Sequence, residues 1–395
     1  MDPARQLLRK GRGVLRLAPA WVPRAFCRPA KRIRLHPDDY YRLGLARGGI
    51  DERWLASTVH ADNGPGTPAD EGLSYIVSDD GRERVTLEDA VQTLQGDLVG
   101  QEIWDKYHRW PAFAKFFDNL GPLPFHIHHD EAHARRVGQH GKPEMYFFPA
   151  QLNSFGGELP FTFFGLRPGV TKADLRQALA DFPKGDNRIL DLSVAYRLAP
   201  DTGWDVPAGV LHAPGSLCTY EPQFASDVYA MYQSMLYFEH PVSEELLWKN
   251  CPPEELGNLD YLIEVVDWEA NTDPDFAARR FMRPLAAAQT EAYTDEWICY
   301  KSDLVAAKRL TLAPGQSVRL RDAAAHGIIA VQGHGTIAGH PLESPTLIRF
   351  GQLTYDEYFV SAGAAADGVV YENHSLSEPL VVLRHFAENP ERPGA

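Results

Sequence analysis

Pro207-Ala208-Gly209-Val210-Leu211-His212 is the stretch on which the reading of this chain turns. Proline and glycine so close together make a tight turn that stops one strand and starts another. The histidine follows at the start of the new strand, with Ala213 and Pro214 after it. Upstream lies Phe125-His126-Ile127-His128-His129. Alternate side chains of a strand share a face, so His126 and His128 point one way and Ile127 points the other, into packing. Two imidazoles on one face can reach one metal ion, although HxH alone also fits surface or core histidines. Between these stretches, Gly141-Lys142-Pro143-Glu144-Met145-Tyr146-Phe147-Phe148 runs from a turn straight into an apolar strand. A carboxylate at the head of such a strand is costly unless it is paired or bound to metal.

The surrounding chain is that of a globular protein. Its 395 residues are 44% hydrophobic and 23% charged, enough for two or three domains. No apolar run approaches the roughly 20 residues that a membrane span needs. The net charge of −14 sets the surface as a whole against nucleic acid and anionic lipid. Cys27, Cys218, Cys251 and Cys299 are too sparse for a disulfide scaffold and read as free thiols in a reducing, cytoplasmic compartment. Plentiful glycine (32) and proline (30) suit a β-rich fold with many turns.

Four zones divide the chain. Residues 1–34 carry ten Lys/Arg against one acid, Asp2, and read as a basic arm lying on an acidic body. Residues 35–240 hold the motifs, with strand-like runs such as MYFF (145–148) and LPFTFFGL (159–166). Two helices interrupt them, one opened by Thr86 and one by Thr171, with Leu175, Leu179 and Phe182 on one face of the second. Residues 241–295 are acidic, punctuated by proline, and read as a mostly helical connector. From 296 to 390 the strand pattern returns in a second, smaller β-domain. His334, His340 and His374 are scattered there without a PxGxxH or a matching Glu, so no metal is expected in it.

PxGxxH preceded by HxH and then Glu resembles the two motifs of the cupin superfamily. The order GIDERW (49–54), AKFFDN (114–119), PLPFHIHHDEAHA (122–134), GKPEMYFF (141–148), FFGLRPGVTKADL (163–175) and VPAGVLHAPGSL (206–217) is similar to the cupin-type, class I mannose-6-phosphate isomerases. IIAVQGHGTIAG (328–339) and EPLVVLRHF (378–386) resemble that family's second β-domain. The resemblance implies a mainly β fold: a jelly-roll, metal-binding cupin domain with helical insertions, plus a smaller cupin-like domain. It makes His128, Glu144 and His212 metal ligands and puts Lys142 in the place of an active-site lysine. Two positions depart from the family. His126 stands where the family has Gln as first ligand, so the set becomes His126, His128, Glu144 and His212. Met231 stands where the family has an arginine, four residues after Asp227, and a thioether cannot grip phosphate or a developing enediolate.

Three nitrogens and one oxygen suit one divalent ion, zinc first, with Mn, Fe(II), Co and Ni as alternatives that ligand type does not separate. The expected activity is aldose–ketose isomerisation through an enediol, in carbohydrate metabolism, on a small sugar or sugar phosphate. A metal polarises the substrate oxygens and a base moves the proton. Lys142, Glu221 and Asp227 are the candidate acids and bases, with His129 behind them because it points away from His128. His133 and His140 are expected in a polar loop and not at the metal. Two other readings stand: a dioxygenase or decarboxylase built on the same three-His, one-Glu set, and a non-catalytic sugar-binding cupin. No nucleic-acid or membrane partner is expected, and the chain is read as a monomer or homodimer.

Overall fold

The computed structural model describes residues 2–154, 160–236 and 239–391. The chain is mainly β; of the five sheets among the described residues, four stack in two cupin-type sandwiches. The motif-bearing sandwich pairs a seven-stranded sheet with a five-stranded one. The larger runs Phe281–Met282, Gly203–Val206, Glu144–Phe147, Thr219–Phe224, Ala112–Phe117, Gly49–Leu55, Ala20–Arg24. The smaller runs Ser193–Arg197, Phe161–Leu166, His212–Ala213, His126–Ile127, Ala230–Met231. Leu159, expected in the strand ending at Leu166, lies outside the described residues.

The second sandwich packs a nine-stranded sheet against a four-stranded one. Its interior holds an apolar cluster in which Leu310, Leu312, Ile328, Ala330, Val360, Tyr371 and Val382 sit together. Between the two sandwiches lies the largest core. Phe116, Met145, Phe147 and Tyr220 of the seven-stranded sheet meet Leu17, Ile329, Val381 and Leu383 of the nine-stranded one. Each of these strands is buried on both faces, which is why runs such as AFAKFF and LVVLRHFA hold little alternation.

The helices expected from capping residues form. Thr86 accepts from Asp89 N and opens Leu87–Leu94, and Thr171 with Asp174 makes a capping box on Lys172–Ala180. That second helix buries Leu175 and Leu179 against the outer side of the five-stranded sheet, together with Tyr261 and Leu262. No helix among the described residues is long and apolar enough to cross a membrane.

Residues 1–34 are not an arm. Val14–Ala18 joins the nine-stranded sheet, and two residues later Ala20–Arg24 joins the seven-stranded sheet, so this segment ties the two sandwiches together. Three of its basic residues, Arg16, Arg24 and Arg32, are buried and paired inside the fold. Arg16 donates to Ser78 O, Arg32 to Asp118, and Arg24 reaches Glu52 and Asp227. Burial of the alternating apolar residues outweighed the high charge that suggested an arm. Two further boundaries move. Tyr75–Val77 and Arg84–Thr86, inside 35–240, extend the nine-stranded sheet. The segment 241–295 is helical to Arg280 and then supplies Phe281–Met282 and Leu285–Gln289 as strands.

Candidate metal centre and active site

The turn at 207–210 is closed by Val210 N donating to Pro207 O. Gly209 carries φ +82°, the left-handed value a type II turn needs at this position, and a Cβ there would meet Asp267 at 3.2 Å. The turn is tied to the neighbouring strand by Gly209 N donating to His128 O at 2.8 Å. Asn271 clamps it further, donating to Gly209 O and accepting from Leu211 N.

This anchoring sets the register. His212 stands directly opposite His126 on the adjacent strand, so both rings project from one face, and His128 follows two residues on. The three rings lie with centroids 4.2 to 5.0 Å apart. One nitrogen from each falls within 4.8 Å of the others, and all three residues are buried. Glu144 approaches from the facing sheet. Its Oε2 is 3.0 Å from His128 Nε2, and its Oε1 is 3.1 Å from His212 Nε2. Tyr146 Oη donates to the same carboxylate and holds it in place.

The protonation pattern follows from the backbone. His126 Nδ1 meets Pro124 O at 2.7 Å, His128 Nδ1 meets Val228 O at 2.7 Å, and His212 Nδ1 meets Val210 O at 2.8 Å. A carbonyl only accepts, so each Nδ1 carries a proton and each Nε2 is turned toward the cluster. Burial keeps His126 well below the usual imidazole range and brings His128 down to about 3. Burial pushes Glu144 up, but the groups beside it, His128 and Lys142, outweigh burial and hold it well below the ordinary carboxylate range. The ring nitrogens of His128 and His212 thus face one carboxylate at close range. His212 Nε2 is fully buried and has no hydrogen-bond partner among the described residues. Such a donor set fits a divalent cation: three imidazoles oriented by carbonyls, as metal-binding histidines are, and one carboxylate.

Lys142 and Glu221 adjoin this cluster. Lys142 Nζ donates to Glu144 Oε2 at 2.6 Å and to His128 Nε2 at 2.9 Å, and lies 3.5 Å from Glu221 Oε1. Glu221 is buried, and burial together with Glu144 pushes it up to about 8. Asp227 is partly exposed and accepts from Arg24 Nη2 and Asp62 N, each at 3.2 Å. Lys142, Glu221 and Asp227 line one pocket with His126, His128 and Glu144. Met231 lies there too, in register with His126. His129 is buried away from the cluster, and burial brings it down to about 4. His133 pairs with Asp130 and His140 with Glu131, both outside the cluster.

Sequence reading missed three charged residues of this pocket: Arg24, Glu52 and Lys115. Glu52 bridges the two cations, Arg24 Nε at 3.2 Å and Lys115 Nζ at 3.7 Å, while Lys115 reaches Glu221 Oε1 at 3.2 Å. The signal was present. Lys115 interrupts the apolar strand AFAKFF as Glu144 heads MYFF, and the same cost argument applies to both.

Comparison of the sequence with protein-family models and with curated proteins finds no match. Comparison of the structure with solved structures does. Mannose 6-phosphate isomerase from Bacillus subtilis superposes over 94% of this chain and 99% of its own, with a TM-score of 0.62 at 13% identity. This chain has the mannose-6-phosphate isomerase fold. A variant of phosphomannose isomerase from Salmonella typhimurium matches with a TM-score of 0.62 at 12% identity, over 95% and 100% of the two chains. A mannose 6-phosphate isomerase bound with zinc and yttrium gives 0.61 at 13%, over 95% and 100%. The likeness spans both sandwiches, so the resemblance read from the motifs extends to the whole fold.

Proposed function

We propose that this chain is a metal-dependent aldose–ketose isomerase, a divergent member of the mannose-6-phosphate isomerase family. The observation that carries the reading is the convergence of three carbonyl-oriented imidazoles on Glu144, with Lys142 and Glu221 beside them in one pocket of that family's fold. His126, His128, Glu144 and His212 would hold the ion. Zinc is the first choice, since one structure of the same fold carries it. When bound, a divalent ion supplies Lewis-acid polarisation of the carbonyl and hydroxyl at the reacting carbons.

The chain's own residues supply the proton traffic. Glu221 takes the proton from one carbon and returns it to the next. A carboxylate near neutral affinity suits that exchange, and burial beside Glu144 favours it. Lys142 Nζ donates to the oxygen on which negative charge develops, a role its place between Glu144 and Glu221 allows. Asp227 positions Arg24 through their 3.2 Å contact. Tyr146 keeps Glu144 oriented. The four unpaired cysteines support a reducing, cytoplasmic setting.

Two measurements test this. Elemental analysis of protein purified without chelator is expected to give near one divalent metal per chain, lost in His212→Ala. Aldoses incubated with the metal-loaded protein in deuterium oxide are expected to exchange their C2 proton and to yield ketose. Glu221→Gln and Lys142→Met should slow this by about a hundredfold or more. A metal-bearing protein inert toward a broad aldose panel sinks the isomerase reading. The third imidazole at His126 favours one other chemistry, oxygenation at iron, and oxygen uptake by the iron-loaded protein would mark it.

A further inference from the structure

We propose a second ligand site, apart from the metal centre and independent of the isomerase reading: a cleft between the two sandwiches that binds a phosphate group. Two cavities open there, of about 390 and 250 Å³, and Arg34, Gln151 and Thr346 line both. The pocket at the histidine cluster is about 30 Å³. A cleft of this size is in the range of small-molecule sites. Residues 31–40 and 151–154 form one wall, and residues 331–347 with Glu378 form the other.

The first wall is pinned to both sandwiches. Ala30 N donates to Asp118 O on one side; on the other, Ile348 N donates to Arg34 O and His36 N to Ile348 O. Between these anchors Lys31 and Arg34 both hold left-handed backbone, with φ +70° and +65°. That conformation is disfavoured for any residue with a Cβ, and such residues gather at ligand clamps. Lys31, Arg32 and Arg34 line the smaller cavity, and no carboxylate lines it among the described residues. Arg32 is committed to Asp118. Lys31 and Arg34 form no ion pair among the described residues. Neutral oxygens alone hold Arg34, which donates to Ser344 Oγ, to Pro345 O at 3.1 Å and to Val331 O at 2.7 Å. Burial lowers its proton affinity below the ordinary guanidinium range, and the acids further off do not offset this. Lys31 is exposed, with Nζ 5.9 Å from the Tyr40 ring. Two unpaired cations on one cavity stand out in a chain whose net charge is −14.

The charge selects the group. A phosphomonoester carries about −1.5 to −2 and three strong acceptor oxygens, so it meets both cations with charge-assisted bonds. One carboxylate neutralises only one of them. Past Arg34 the larger cavity continues to His334, Glu343, Ser344 and Glu378. Those side chains accept from or donate to hydroxyls, and the two glutamates repel a second anion. The ligand that fits is a small hydroxylated molecule with one terminal phosphate, or free phosphate in the smaller cavity alone.

Calorimetric titration of the full chain with sorbitol 6-phosphate, inorganic phosphate and gluconate tests this. Sorbitol 6-phosphate is expected to bind about tenfold tighter than gluconate, its carboxylate counterpart. His212→Ala, which disables the metal centre, should bind it as the wild type does. Arg34→Met should weaken binding tenfold or more, and Lys31→Met, at an exposed side chain, about fivefold. Sorbitol 6-phosphate binding tighter than inorganic phosphate supports a phosphorylated molecule filling both cavities; equal binding supports free phosphate as the occupant. No binding of either phosphate at millimolar concentration overturns the proposal. So does gluconate binding as tightly as the phosphates. Binding lost in His212→Ala but kept in Lys31→Met overturns it too, because it places the phosphate at the metal centre.

Discussion

The two sandwiches hold their buried charges differently. In the first, His126, His128 and His212 turn ring nitrogens toward one another, two of them against the Glu144 carboxylate, with Lys142 at the edge. In the second, Asp295 and Asp322 are buried against Arg384, a guanidinium with no exposed surface, and Lys308 lies 3.7 Å from Asp322. The local histidine geometry is shared. His326 Nδ1 faces the carbonyl two residues back, Ala324 O, as His126 and His212 face Pro124 and Val210. Its Nε2, however, looks toward Asp322 at 3.8 Å in a cluster that already contains its cations. A strand-borne imidazole held by a carbonyl is therefore not a metal site by itself. The candidate site differs in that three such imidazoles converge on one carboxylate, Glu144, which Lys142 also pairs.

The largest way to break this comparison is to remove the second sandwich's cation. Arg384→Met leaves two buried aspartates short of a partner and should cost about 3–5 kcal/mol. Thermal and denaturant unfolding would read this, with metal content unchanged. Next, chelation should lower the melting temperature of the wild type and added zinc should restore it, by about 2.7 kcal/mol at a hundredfold excess over the dissociation constant. The same treatment should leave His212→Ala unmoved. A melting temperature indifferent to metal would put the first cluster on a par with the second.

A smaller effect comes from the seam between the sandwiches. His385 Nδ1 lies 3.0 Å from Tyr220 Oη, and burial brings this imidazole down to about 3. Its folded affinity for protons is below its unfolded one. The stability it contributes is therefore present above about pH 6.5 and is lost as pH falls toward 3. His385→Gln should flatten the fall in melting temperature between pH 6.5 and 4 relative to wild type. The smallest effect tests the periphery. Thr171→Ala removes a helix cap outside both interiors and should cost about 1 kcal/mol without altering metal binding.

Much of the site was legible because its chemistry is local. The turn at Gly209, the alternation at His126 and His128, and the charge heading an apolar strand at Glu144 each follow from a few neighbouring residues. Arg24 was not legible. Its decapeptide is rich in apolar residues but sits in a strongly basic segment, and which sheet it would join depends on partners such as Glu52 and Asp227, the latter about two hundred residues away. The split of Val14–Arg24 between two sheets escaped for the same reason, since a strand's own sequence does not name its neighbour.

By itself, then, the sequence determined the β-rich class, the capped helices at Thr86 and Thr171, and that His126 and His128 share a face, because periodicity, turn chemistry and capping act over a few residues. Tertiary structure alone decided that Glu144 crosses from the facing sheet to His128 and His212. It also decided that Arg24 and Lys115 enter the same pocket and that each cation there is already paired. Those outcomes depend on long-range register and on desolvated charge, and no short window of sequence contains either.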